Sequence, residues 1–179
     1  VAEDIWAKMV KFASYAFNRS HAACYAYIAY ITAYMSCHWP AEFYAAMLNA
    51  FISSSDKVKA YLAQAERRGI KLLLPDIQKS SCQFSAQSGD ILFGLQGIKG
   101  LKAMAEAIVE ERTDNGSFSD FQSLYERLAD KGEKLNKTAV EGLIYSGALR
   151  VFSDNKAALL RHFDDVESDY QANAANRAM

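Results

Sequence analysis

Sixteen consecutive residues, Ala22 to Cys37, carry no formal charge. This run restricts the fold more than any other feature, because apolar surface left in water is costly and can be covered only by packing. It holds Tyr25, Tyr27, Tyr30, Thr32 and Tyr34 and falls short of the roughly 20 apolar residues that a bilayer crossing needs. It therefore reads as a buried core helix, with the tyrosines as core and edge packing and no membrane partner. Directly before it stands Phe17-Asn18-Arg19-Ser20-His21. Asn18 or Ser20 can cap the helix by accepting from its orphan N–H groups, while Arg19 and His21 add donors beside the positive end of the macrodipole. Together these residues outline a phosphate site, set against the plainer reading of a surface cap with a core-edge histidine.

At 179 residues and 51% hydrophobic, the chain can bury a core as one domain or two small ones. A net charge of −1 and a pI near 6.3 exclude a generally basic nucleic-acid coat. Residues 1–90 carry a net +2 and residues 91–179 a net −3, so any grip on DNA must come from local geometry. Cys24, Cys37 and Cys82 form no CxxC pair, which argues for a reducing, cytoplasmic setting. The chain opens on Val1, as a piece of a longer protein would.

The fold class expected is mainly α with a small β-hairpin. Ile5, Met9 and Phe12 share a helical face, with Trp6 and Ala13 beside them, over residues 3–15. The second helix must yield before Trp39-Pro40, and Pro40 suits the first turn of a third helix through about Phe51. A fourth spans about 56–68, started by Ser53 to Asp56 and stopped by Gly69. Lys71 to Asp76 then reads as extended chain, and residues 83–86 and 91–95 flank Ser88-Gly89-Asp90 as a hairpin. Helical pattern returns over 101–112, around 121–128, from an Asn136 cap through Tyr145, and from a Ser153 or Asp154 cap to about Val166. Residues 167–179 read as a fraying tail.

Two segments share a plan of apolar lead, glycine turn and amphipathic helix. They are Phe93-Gly94-Leu95-Gln96-Gly97-Ile98-Lys99-Gly100 and Leu143-Ile144-Tyr145-Ser146-Gly147-Ala148-Leu149. This is the logic of paired helix-hairpin-helix units, whose turns offer backbone N–H groups to nucleic-acid phosphates, with Lys99, Lys102 and Arg150 nearby to assist. The glycines could equally be ordinary helix caps. A zinc site from His21, Cys24, Cys37 and His38 is set aside, since adjacent Cys37 and His38 diverge by about 100° on a helix. Glu110-Glu111 and Asp164-Asp165 read as solvated helix faces. No catalytic triad, Walker loop or dinucleotide fingerprint is present in the sequence.

The order of motifs resembles the α subunit of bacterial DNA polymerase III, the C-family replicative polymerase. Carrying the resemblance are Lys11 to Ala22, Tyr25, Trp39-Pro40-Ala41-Glu42-Phe43, Pro75-Asp76-Ile77, Phe93-Gly94-Leu95, Ile98-Lys99-Gly100, Leu135-Asn136-Lys137 and Ser146-Gly147-Ala148. It covers about residues 3–165. The resemblance implies a helical fingers subdomain over 1–90 that is the C-terminal part of the polymerase fingers, a tandem helix-hairpin-helix DNA-binding module over 91–166, and a tail over 167–179.

It also implies that Asn18, Arg19, Ser20 and His21 line the incoming dNTP, and that Gly97, Lys99, Gly100, Lys102, Gly147 and Arg150 lie along the backbone of primer-template DNA. Ser14 and Ala16 stand where the family commonly has glycines, and Arg19 replaces a lysine. Lys102 replaces an expected glycine, which would leave the first turn with fewer exposed N–H groups. The parent is then a nucleotidyltransferase, a DNA-directed DNA polymerase, that uses Mg²⁺ on palm aspartates outside this chain. The sliding clamp and other replisome subunits would meet the parent elsewhere, and the isolated piece would be catalytically inactive. The alternative is a non-catalytic DNA-binding or scaffold helical module.

Overall fold

A computed structural model describes residues 1–14 and 19–177. The chain divides into two compact units, residues 1–39 and 40–179.

The first unit holds helices α1 (Ala2–Ser14) and α2 (Arg19–His38). Asp4 and Lys8 pair at 3.1 Å along α1, and Ile5, Met9 and Phe12 do share one face, but that face is exposed. Helix α2 departs from the sequence expectation. It forms over the predicted span, yet none of its residues is buried, and Tyr27 and Tyr30 are each 67% exposed. The physical reason is that apolarity sets a demand for burial, whereas burial itself depends on neighbouring elements that a helix cannot supply from its own sequence. Its aromatic rings pack instead on one another along the helix, Tyr30 on Tyr34 at 6.2 Å and Tyr34 on His38 at 4.2 Å between centroids.

The second unit begins with α3 (Pro40–Ala50), where Pro40 occupies the first turn, and α4 (Ser55–Arg67). Gly69, at φ +80°, closes α4: its N–H donates to Glu66 O and that of Ile70 to Ala65 O, the paired bonds of a Schellman cap. The chain then forms β1 (Leu72–Leu73), β2 (Ser85–Gln87) and β3 (Asp90–Leu92). The predicted hairpin is the antiparallel β2–β3 pair, turned by Ser88 and Gly89, both at positive φ. Strand β1 adds to the other side of β3 in parallel. Ala41, Tyr44, Ala45 and Leu48 of α3 bury against Ala65, Ile70, Phe84 and Ile91.

The remaining helices are α5 (Ala105–Asn115), α6 (Phe121–Asp130), α7 (Lys137–Ser146) and α8 (Lys156–Arg177). Asp120 caps α6 by accepting from Ser123 N at 2.7 Å, and Asn136 caps α7 by accepting from Ala139 N at 2.9 Å. Helix α8 is capped by Asn155, which accepts from Ala158 N, rather than by Ser153 or Asp154. It also continues past Val166 through the stretch expected to fray. Tyr170 explains this: its ring lies 5.8 Å from that of Tyr125, and its hydroxyl donates to Asp130 at 3.1 Å. A larger core gathers Leu95, Ile98, Leu101 and Ile108 with Phe121, Leu124, Leu128, Val140, Leu143 and Phe163.

Glu111 corrects the reading of Glu110-Glu111 as a solvated face. It is 2% exposed and pairs with Arg127 Nε at 2.8 Å, with Lys131 and with Asn115. Sequence spacing alone could not reveal this, because two of those partners come from α6 and the residue that ends it.

Candidate nucleic-acid interface

The first hairpin runs from a 3₁₀ turn at Leu95–Gly97 through residues 98–104 into α5. Its start is fixed by Leu95 N donating to Ser81 O and Gln96 N to Cys82 O, at 3.0 and 2.9 Å. Leu95, Ile98, Leu101 and Ala105 turn inward and are buried, which throws Lys99, Gly100, Lys102 and Ala103 outward. Leu101 N donates to Ile98 O, and Met104 N and Ala105 N both donate to Leu101 O. Among the described residues, the N–H groups of Lys99, Gly100, Lys102 and Ala103 find no acceptor in the chain. Lys102, in the place of an expected glycine, therefore keeps its backbone donor unpaired within the chain.

The glycines of this hairpin have different tasks. Gly100 sits at φ +86°, a conformation that side-chain-bearing residues rarely adopt, and a Cβ there would lie 2.9 Å from Thr138 Cγ2. Gly97 makes room for a ring, since a Cβ would approach Phe93 Cε1 to 2.7 Å. Gly142 on α7 would place a Cβ 2.4 Å from Lys99 O, so the turn lies directly on the helix. Thr138 and Gly142 were absent from the sequence-derived set. Their signal is weak in a sequence, since a glycine inside a helix reads first as a propensity cost.

The second hairpin joins α7 to α8. Gly147 is left-handed, its N–H donates to Ile144 O, and Ala148 N donates to Leu143 O. Gly147 is thus a Schellman cap whose donor is consumed by α7, and it shapes the turn without offering an N–H to a ligand. Ala148 O accepts from Ile77 N at 3.0 Å, which ties the turn to the segment after β1. Arg150 is exposed and pairs with Asp154 at 2.9 Å. The two hairpin turns lie at opposite ends of α7, about 14 Å apart for the nine residues from Thr138 to Gly147.

Arg19, Ser20 and His21 open α2 in the first unit, all exposed, with the His21 ring 4.5 Å from that of Tyr25. Ser20 is the second helical residue and not the residue before the helix. Asn18 lies outside the described residues. Among the described residues, no three His, Cys, Asp or Glu side chains gather closely enough to hold a metal ion, and no helix is long and apolar enough to cross a membrane.

A helical unit in which glycine turns join successive helices defines a class, and the chain belongs to it: residues 69–159 match the family described as helix-hairpin-helix motif. Its relatives are longer proteins. Over 92% of its length the chain is 39% identical to DNA polymerase III subunit alpha of Treponema pallidum and 40% identical to that of Xylella fastidiosa strain 9a5c. It is also 41% identical to DNA polymerase III subunit alpha of Thermus aquaticus over 92% of its length. The chain spans only 13 to 14% of the length of these relatives.

Proposed function

We propose that this chain is a segment of a bacterial replicative DNA polymerase that holds duplex DNA by its backbone and lends side-chain donors to an incoming dNTP. The observation that carries the reading is the exposed turn over residues 98–103, where four N–H groups without an acceptor, those of Lys99, Gly100, Lys102 and Ala103, accompany the side chains of Lys99 and Lys102. Backbone donors and lysines that meet phosphates position a duplex without reading its sequence. The second turn, about 14 Å away along α7, would meet the same backbone only a few phosphates on. There Arg150 is the contacting side chain, since exposed pairs such as Arg150–Asp154 are weak enough for a phosphate to displace. Gly97 and Gly147 contribute by shaping the turns.

The functional boundary falls near residue 90, with the fingers role before it, the DNA module over 91–166 and a tail that follows. Asn18, Arg19, Ser20 and His21 are the nucleotide side of the proposal. Arginine offers a forked pair of donors to triphosphate oxygens, and a charged histidine stabilises negative charge that develops during transfer. On this reading the Mg²⁺ ions that activate the primer 3′-hydroxyl belong to acidic residues elsewhere in the parent, as do contacts to the sliding clamp and other replisome subunits. The parent works in the cytoplasm, and the isolated chain extends no primer.

Charge reversal on this chain tests the DNA surface. Lys102→Glu is expected to weaken binding to a 20-base-pair duplex roughly tenfold or more at low salt, as loss of a phosphate contact plus repulsion requires. Lys59→Glu, an equal change of net charge on exposed α4, is expected to have little effect. Equal losses from the two variants would show that net charge alone governs binding and would remove the hairpin from the interface.

A further inference from the structure

We infer that the first turn of α7 completes the phosphate site of the first hairpin, with Lys137 as a third cation and the Thr138 hydroxyl as a further donor. This rests on the DNA-binding reading above and extends it to residues that belong, by chain order, to the second hairpin.

The geometry is set by two close approaches. The turn is seated on α7 so tightly that a Cβ on Gly100 would lie 2.9 Å from Thr138 Cγ2 and 3.1 Å from Thr138 O, while one on Gly142 would lie 2.4 Å from Lys99 O. Gly100 and Thr138 are both exposed, so their junction opens to solvent. Lys137, also exposed, is the first residue of α7 and adjoins that junction in the chain. Its position is held by the Asn136 cap, which ties the start of α7 to Ala139 N at 2.9 Å.

Charge distinguishes this junction from the other basic positions nearby. Arg150 is matched by Asp154, Lys134 by Glu167, and Lys156 donates to Tyr145 O at 3.1 Å. Among the described residues, Lys99, Lys102 and Lys137 enter no ion pair. Glu141, one helical turn beyond Lys137, is not joined to it. Three lysines that enter no ion pair among the described residues and a threonine hydroxyl therefore belong to the same junction as the four unpaired N–H groups of the turn. A lone phosphodiester has two free oxygens, so this many donors fits two successive phosphates of one strand.

The test is duplex binding by the whole chain, followed by fluorescence anisotropy of a labelled 20-base-pair duplex at several salt concentrations. Lys137→Ala is expected to weaken binding roughly threefold to tenfold and to lower the slope of log affinity against log salt by about 1, as for loss of one phosphate contact. Thr138→Val, which removes only the hydroxyl, is expected to weaken binding without changing that slope. If Lys102→Ala weakens binding while Lys137→Ala leaves both affinity and slope at the wild-type values, the α7 contact is wrong and the hairpin reading survives. If neither substitution matters although the wild type binds, both readings fall. Circular dichroism of each variant separates lost contact from lost fold, and Gly100→Ala provides an independent arm: it disturbs the junction with all charges kept, and unchanged binding by a folded Gly100→Ala chain would also contradict the shared site.

Discussion

Two amide side chains act here as substitutes for a strand. Asn49 Nδ2 donates to Phe84 O and Asn49 Oδ1 accepts from Phe84 N, both at 2.8 Å. Gln78 does the same for Phe118, at 2.6 and 3.1 Å. Each pins a buried phenylalanine whose own peptide lies outside the regular elements. Asn49→Ala leaves both groups of a buried peptide unpaired and should cost about 2 kcal/mol, read as a lower urea midpoint at unchanged slope. Tyr125 presents the reverse case. Its hydroxyl is buried with no partner among the described residues, and burial pushes its pKa up, so Tyr125→Phe should be neutral or stabilising by up to about 1 kcal/mol. A clear loss would mean that the hydroxyl is bonded. For Glu111, Lys131 first and then Arg127 and Asn115 hold the carboxyl down to about 2 against an ordinary 4.5. A depressed folded value means that stability is present above 4.5 and is lost as pH falls from 4.5 towards 2. Glu111→Gln should therefore cost about 3 kcal/mol near neutral pH and flatten the acid limb of a stability profile in that window. None of these partnerships was legible in the sequence, because each joins residues that only the fold brings together.

Elements were far more legible than partnerships. The proline at the start of α3, the Gly69 stop, the Ser88-Gly89 hairpin and the Asn136 cap follow from local backbone chemistry, which a sequence carries in full. Errors gathered where chemistry is shared with neighbours: the start of α5 at Ala105, delayed by the hairpin turn, and the extension of α8, held by Tyr170. The glycines allow these two kinds of information to be separated. A Cβ on Gly69 meets nothing within 4 Å, so Gly69→Ala should cost only the left-handed conformation, about 1 kcal/mol. Gly142 has no positive φ, yet its Cβ would strike the backbone of Lys99 at 2.4 Å. Gly142→Ala should cost more than Gly69→Ala, about 2 to 3 kcal/mol, and should also impair DNA binding by moving the turn. Thermal melts of the two variants check the order, and a larger loss at Gly69 would contradict it.

At the scale of the molecule, the two units differ in how burial supports them. Helices α6 and α7 are anchored by Phe121, Leu124, Leu128, Val140 and Leu143, all 2% exposed or less. Helix α2 has no buried residue, so its hydrogen bonds rest on helix propensity and on its own aromatic contacts. Hydrogen exchange should find the slowest amides in α6 and α7 and fast exchange throughout α2, and comparable protection in α2 would mean that it is covered in solution. The helix-hairpin-helix class was legible in the sequence because its glycine turns are local, while the covering of α2 was not, because a run of apolar residues states a need without naming what meets it. The most direct test of backbone recognition compares two duplexes of equal length and unrelated sequence across a range of salt. The hairpin interface predicts the same affinity for both and a log–log slope near −3, about 0.9 for each of three phosphates, two at the first hairpin and one at Arg150. Affinity that differs strongly between the two sequences, or that does not change with salt, would contradict it.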